Sequence, residues 1–213
     1  MMKYIFIHGL GQSPNAWSGV IKALPENNDI FVPSLANLSD DQKWDYKSLY
    51  NSFENACRKH IATQADLCGL SLGAVLALNY AAENPENVHS LVLAAPQYKM
   101  PKTLLSLQNL IFHFMPDKAF KETGLSKKAM ISLTHSMKCL DFTRCLRNIK
   151  CPVLIICGSK DKANLKSASL LSELLPNASL ATIKDAGHEV NLESPADFAH
   201  LVSAFYKRIS RQP

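Results

Sequence analysis

A five-residue motif, Gly-Leu-Ser-Leu-Gly at positions 69–73, lies directly between an apolar run and a segment of helical periodicity. This order predicts a buried strand that turns sharply into a helix, with Ser71 at the apex of the turn. Glycines two residues before and after the serine fit such a turn because a Cβ atom there would collide with the backbone. The motif therefore predicts a strand–turn–helix unit that holds the Ser71 hydroxyl away from the sheet, as is typical of a nucleophilic serine.

Short apolar runs alternate with longer segments of helical period, which is the pattern of a parallel sheet covered by helices. Several runs are nearly continuous in Val, Ile, Leu and Phe, as expected for strands buried on both faces. The predicted strands are 4–7, 30–32, 66–68, 90–94, 153–157 and 179–183, and the predicted helices are 14–24, 46–62, 72–83, 165–175 and 195–209. The sequence thus predicts an α/β fold with a six-stranded, mostly parallel sheet and helices on both faces.

The 54-residue segment 97–150 separates the fourth and fifth predicted strands and is much longer than an ordinary crossover. We expect it to form a helical lid insertion, which leaves 1–96 and 151–213 as the core domain. It contains an apolar band of helical spacing, from which we predict Phe112, Phe114 and Met115 as substrate-pocket residues. Its ten basic and three acidic residues give the segment a net charge of +7.

The composition excludes several classes of protein. A net charge of +5 over 213 residues is too small and too dispersed to indicate a nucleic-acid partner. No apolar stretch is long enough to span a bilayer and no export signal is visible, so we expect a cytoplasmic protein without stable membrane insertion. Four of the six cysteines recur at intervals of six residues, which matches no zinc-site spacing, and we expect neither a metal nor a cofactor. The oligomeric state is left open.

A nucleophilic serine needs a base within hydrogen-bond reach and a carboxylate that orients the base. His188 follows the sixth predicted strand and Asp161 follows the fifth, so both lie at the carboxyl edge of the sheet, where ligands gather in parallel sheets. Asp185 and Glu189 are rival acids, but side chains so close to His188 in sequence seldom point into one line with the serine. We therefore predict Ser71 as nucleophile, His188 as base and Asp161 as the orienting acid.

The first predicted strand runs into a glycine-rich turn, His-Gly-Leu-Gly at 8–11, at the same edge of the sheet. Its glycines allow close approach of the backbone, so the amide of Leu10 is a predicted donor to a developing oxyanion. Leu72, at the start of the helix after Ser71, supplies the second predicted amide. The turn lacks the spacing of a phosphate-binding loop, and we interpret His8 as a residue that braces it.

Four motifs together resemble the α/β-hydrolase family: H-G-L-G at His8, G-L-S-L-G around Ser71, G-S-K-D ending at Asp161 and A-G-H ending at His188. The chain begins at what would be the third strand of the family's eight-stranded sheet, so the resemblance implies an α/β-hydrolase fold with a six-stranded core. The segment 97–150 stands where the family usually carries its lid.

The resemblance implies a serine hydrolase that cleaves carboxylic esters of hydrophobic or acyl substrates through an acyl-enzyme intermediate. A thioesterase or a lyase acting on an anionic metabolite with the same triad remains an alternative, because the family hosts several reactions. A binding protein that uses the pocket without turnover is a further alternative.

Overall fold

The computed structural model describes residues 3–25, 29–38 and 44–211. Six strands of these residues form one sheet, in which every neighbouring pair is parallel and the order is β2-β1-β3-β4-β5-β6. The strands are β1 (Lys3–Ile7), β2 (Asp29–Phe31), β3 (Ala65–Leu70), β4 (Val88–Ala94), β5 (Val153–Gly158) and β6 (Ala178–Ile183). The predicted six-stranded parallel sheet is confirmed, and no strand end differs from the predicted one by more than two residues.

Nine α-helices lie within the described residues. They are α1 (Ser18–Ala23), α2 (Leu35–Leu38), α3 (Tyr46–His60), α4 (Leu72–Glu83), α5 (Lys102–Phe114), α6 (Lys127–Met137), α7 (Lys162–Leu174), α8 (Val190–Glu193) and α9 (Pro195–Ile209). None of them combines the length and the hydropathy needed to cross a bilayer.

Successive residues of the central strands face opposite sides of the sheet, as strand geometry requires. In β5, Ile155 packs in an apolar cluster with α3, α4 and α7, whereas Ile156 packs in a second cluster with α1 and α9. Both residues are fully buried. Helices therefore cover both faces, which explains why β5 contains no polar residue and why its sequence could be recognised as a buried strand.

Several helix boundaries differ from the predicted ones for local reasons. The helix predicted over 14–24 begins as a 3₁₀ turn, Pro14–Trp17, before α1, and Ser13 provides no side-chain cap for that turn. Ser194 likewise makes no side-chain cap for α9. Helix α7 begins three residues earlier than predicted because the carboxylate of Asp161 accepts the backbone N–H of Asn164 at 3.3 Å.

The segment 97–150 contains α5, a 3₁₀ turn at Asp117–Thr123, α6 and a second 3₁₀ turn at Leu146–Asn148. Helices α5 and α6 pack against each other, and Phe120 and Met130 belong to a small apolar cluster between the elements of the segment. The segment therefore has helices of its own. Its action as a lid over a core domain of 1–96 and 151–213 stays a prediction.

Candidate active site

Ser71 lies at the junction between β3 and α4 in a strained backbone conformation. Its φ of 53° and ψ of −111° fall in a region that L-residues rarely adopt and that costs about 1–3 kcal/mol. The conformation is held from both sides. The Ser71 amide donates to the carbonyl oxygen of Ala94 at the end of β4, and a Cβ atom on Gly73 would lie only 2.1 Å from the carbonyl oxygen of Ile7. Close packing of α4 on β1 thus fixes the serine at the carboxyl edge of the sheet.

Asp161 and His188 meet at the same edge, on the turns that follow β5 and β6. The Nδ1 atom of His188 lies 2.7 Å from Oδ2 of Asp161. With Nδ1 donating to the carboxylate, the lone pair of the imidazole is left on Nε2, which is the form a general base requires. The two turns also touch backbone to backbone, since a Cβ atom on Gly158 would lie 2.1 Å from the carbonyl oxygen of Gly187.

Asn164 is a member of this site that the sequence did not reveal. Its Nδ2 atom lies 2.9 Å and 2.8 Å from the two carboxylate oxygens of Asp161, and its Oδ1 accepts a 2.7 Å hydrogen bond from Nε2 of Gln97. Burial alone raises the pKa of Asp161, but hydrogen bonds from His188 and Asn164 outweigh it and bring the pKa below its ordinary value. Asp161 is therefore a carboxylate at neutral pH.

A cavity of about 460 Å³ brings together all five residues predicted for the chemistry, which are Leu10, Ser71, Leu72, Asp161 and His188. No hydrogen bond joins Ser71 to His188 within the described residues, and such contacts often form only once substrate is bound. The cavity wall is mainly apolar and includes Val75, Met100, Leu104, Leu105, Leu107 and Ile111. No Lys or Arg occurs among its described lining residues.

The predicted pocket residues Phe112, Phe114 and Met115 do not line this cavity, and their assignment is wrong. Phe112 packs edge-on against Phe120, with ring centroids 5.6 Å apart, and Met115 joins the same cluster. Phe114 is 82% exposed. Packing of α5 on α6 sets the rotation of the helix, so a different side of its apolar band reaches the cavity.

The rival carboxylates contact other partners. Asp185 pairs with Lys160 at the surface, 3.7 Å away, and Glu189 accepts a 2.9 Å hydrogen bond from Gln12. In the part of the chain that the structure describes, neither forms a hydrogen bond with His188. This leaves Asp161 as the carboxylate bound to the histidine.

Hydrogen bonds of the His8 and Gln12 side chains stabilise the turn that carries Leu10. His8 is buried, and its Nε2 accepts the backbone N–H of Leu35 at 3.1 Å. Burial lowers the pKa of His8, which favours the neutral ring that this acceptor role requires. The side-chain oxygen of Gln12 accepts the Gly9 amide at 3.1 Å. These contacts agree with the interpretation of His8 as a bracing residue.

Comparison with known proteins gives related folds and several chemistries. A family model described as the alpha/beta hydrolase fold matches residues 5–124. The chain is 24% identical to the pimeloyl-[acyl-carrier protein] methyl ester esterase of Aromatoleum aromaticum, over 93% of this chain and 95% of that protein. It is 23% identical to a Bacillus subtilis protein named Putative 2-succinyl-6-hydroxy-2,4-cyclohexadiene-1-carboxylate synthase, over 96% and 90% of the two chains. The crystal structure of the enol-lactonase from Burkholderia xenovorans superimposes with a TM-score of 0.83 at 16% identity, over 97% of this chain and 91% of that one.

Proposed function

The chain belongs to the α/β-hydrolase family, and from that premise we propose that it is a serine hydrolase that cleaves carboxylic esters of hydrophobic or acyl substrates. One observation carries the proposal. The hydrogen-bonded pair of Asp161 and His188 lines the same cavity as Ser71, and Ser71 stands on the strained turn between strand and helix.

In the proposed reaction the Ser71 oxygen attacks the ester carbonyl carbon while Nε2 of His188 accepts the hydroxyl proton. The Asp161 carboxylate stabilises the imidazolium that forms. The amides of Leu10 and Leu72 donate to the oxyanion, and the Leu72 amide is one of the free N–H groups in the first turn of α4. When the intermediate collapses, His188 returns the proton to the departing alcohol. A water molecule activated by His188 then releases the acyl group from Ser71.

The cavity supports an uncharged acyl group as the part of the substrate that is bound. Its volume of about 460 Å³ is of the size that holds a small ligand, and its wall is formed largely by leucine, isoleucine, valine and methionine side chains. Helix α5 contributes Leu104, Leu105 and Ile111 to that wall. We therefore propose that the segment 97–150 is a lid whose leucines bind the acyl chain.

A thioesterase or a lyase acting on an anionic metabolite is the second candidate. Similarity to the protein named as a carboxylate synthase supports it. The wall of the cavity favours the ester, because no cation among its described residues would pair with a carboxylate or a phosphate. The positive charge of the segment 97–150 belongs to residues outside that wall.

The decisive variant is Ser71→Ala, assayed with short p-nitrophenyl esters. We expect turnover to fall by about 10⁶-fold, as in other triads that lose their nucleophile. Ser172→Ala is the matched control, because within the described part of the chain that hydroxyl bonds only to a carbonyl oxygen of its own helix, Ser169 O at 2.7 Å. A fluorophosphonate probe should label the wild-type protein and the control but not the Ser71 variant.

The outcomes separate the candidates. Faster turnover of acyl-coenzyme A substrates than of esters would favour a thioesterase, and labelling without turnover of either class would favour a lyase. A wild-type protein that is neither labelled nor active would indicate a binding protein. Retained ester hydrolysis in the Ser71 variant would contradict the mechanism.

A further inference from the structure

Helix α5 presents its large apolar side chains to solvent and buries a polar one. Leu107 and Leu110 are each 54% exposed and Phe114 is 82% exposed, whereas Asn109 is only 7% exposed. The buried amide oxygen of Asn109 accepts a hydrogen bond from the hydroxyl of Thr134 on α6. A surface helix normally turns its apolar side inward. Among the residues that the structure describes, none packs over the apolar side chains on the outer face of α5.

The exposed residues form one continuous patch, which we call the α5 stripe and define as Leu104, Leu107, Leu110, Ile111 and Phe114. They recur at intervals of three and four, so they align over three turns on one side of the helix. Scattered exposed leucines need no explanation, but a contiguous patch of this kind indicates an interaction site. Leu104, Leu107 and Ile111 also line the cavity, so these three side chains belong both to the cavity wall and to the exposed surface.

The segment that carries the stripe, 97–150, has a net charge of +7. Lys102, Lys118 and Lys128 are exposed, and none of them pairs with a carboxylate of the described residues. Beyond the end of α5 lies an open groove of about 900 Å³, whose walls include His113, Lys128 and one acid, Asp117. Together, the apolar stripe and the lysines are complementary to a surface that has an apolar interior and anionic groups where it meets water.

We propose that the α5 stripe docks this protein on an anionic lipid surface, with α5 lying in the plane of the interface. Helices with one apolar face and basic residues outside that face bind there through buried apolar area and attraction to anionic headgroups. A second copy of the chain fits less well, because two segments of net charge +7 would meet. An acidic protein would need a groove of its own for Phe114, which projects from the surface, whereas acyl chains adapt to its shape.

Docking in this orientation brings one wall of the cavity against the lipid, because three residues of the stripe also line the cavity. An apolar ester could then pass from the membrane to Ser71 without crossing water. This consequence rests on the proposed ester hydrolysis. The docking itself does not, and it is measured without any substrate.

The test is sedimentation of the full-length chain with vesicles of phosphatidylcholine alone or mixed with phosphatidylserine. We expect binding to the anionic vesicles that weakens as salt is added. The double variant Leu110→Glu/Phe114→Glu should bind about a hundredfold more weakly, since two apolar side chains no longer enter the interface. Hydrolysis of a water-soluble ester should stay at the wild-type rate, because neither residue lines the cavity.

Leu174→Glu is the matched control, because Leu174 is 47% exposed at the end of α7 and should not affect vesicle binding. Replacing Lys118 or Lys128 with Gln should weaken binding to anionic vesicles about fivefold per residue. Unchanged melting temperatures would show that the variants are folded.

Four results would overturn docking: wild-type protein that does not sediment with anionic vesicles, equal binding by the Leu110/Phe114 variant, equal loss in the Leu174 control, or a wild-type dimer that the Leu110/Phe114 variant dissociates. Vesicle binding by an inactive protein would instead overturn the proposed hydrolysis and leave docking in place.

Discussion

Asn164→Ala tests whether the site depends on a residue that holds the acid of the proposed triad. The Asn164 amide donates to the Asp161 carboxylate, and Asp161 in turn accepts from His188 at 2.7 Å. The variant removes that amide and leaves Nε2 of Gln97 without its acceptor. The variant keeps the backbone N–H of residue 164, which donates to the capping carboxylate of Asp161 at the start of α7.

The expected magnitude follows from the charge of the partner. A hydrogen bond to a charged group contributes about 1.5–3 kcal/mol, so the free energy of unfolding should fall by about that amount at neutral pH. The remaining bonds to Asp161 hold the carboxylate less firmly in line with His188. We expect kcat to fall roughly tenfold, which corresponds to about 1.4 kcal/mol of transition-state stabilisation.

The dependence on pH distinguishes this role from ordinary loss of packing. The pKa of Asp161 is lowered in the folded protein, so its stabilising effect is present above the pKa of the unfolded chain and disappears as pH falls through the folded value. Without the Asn164 bond that pKa rises. The stability difference between wild type and variant, measured by urea unfolding, should therefore be full at neutral pH and shrink in acid.

Asn79→Ala serves as the control, because Asn79 is a comparably buried asparagine two turns along α4 from Ser71. It should destabilise the protein by an amount that does not vary with the ionisation of Asp161, and kcat should stay near wild type. The reasoning is refuted if Asn164→Ala keeps full kcat, or if its stability loss is the same at neutral and acidic pH.

Two further substitutions test the fold around the site. Gly73→Ala should lower the melting temperature by about 10 °C, because a Cβ atom 2.1 Å from the Ile7 carbonyl oxygen forces α4 away from β1, a clash that should cost about 3 kcal/mol or more. Scanning calorimetry beside Gly19→Ala, where the nearest atom is a proline Cβ at 3.0 Å, should show the smaller loss in the latter, and equal losses would contradict the argument. Asp66→Asn should stabilise the protein at neutral pH, since burial raises the pKa of Asp66 despite hydrogen bonds from Ser90 and His89. A raised folded pKa means stability that is complete in acid and lost as pH rises, so the gain should vanish in acid, and a melting temperature below wild type at pH 7 would refute it.

The parallel sheet and the position of Ser71 could be predicted because their signals are local. An apolar run such as 153–157 indicates a strand buried on both faces, and the glycines around Ser71 indicate a tight turn, without knowledge of any distant residue. The expectation that Asp161 and His188 would meet used only the direction of parallel strands, whose ends share one edge.

The orientation of α5 could not be predicted in the same way. Periodicity shows which residues share a face of a helix, but the partner of that face depends on contacts far away in sequence, such as that between Asn109 and Thr134. Phe112 was therefore assigned to the cavity although it packs on Phe120. Asn164 was missed because no motif marks the asparagine three residues after Asp161, and its other partner, Gln97, lies 67 positions away.

The contact of Gly158 with the Gly187 carbonyl has a consequence for engineering. The spacing between Asp161 and His188 depends on two main chains that touch, and not on the aliphatic side chains of the cavity. If the proposed function holds, libraries that randomise Leu104, Leu105 and Ile111 can therefore change the acyl preference while the geometry of Asp161 and His188 stays constant. A single methyl group added at Gly158 would move both turns and should abolish activity in every member of such a library.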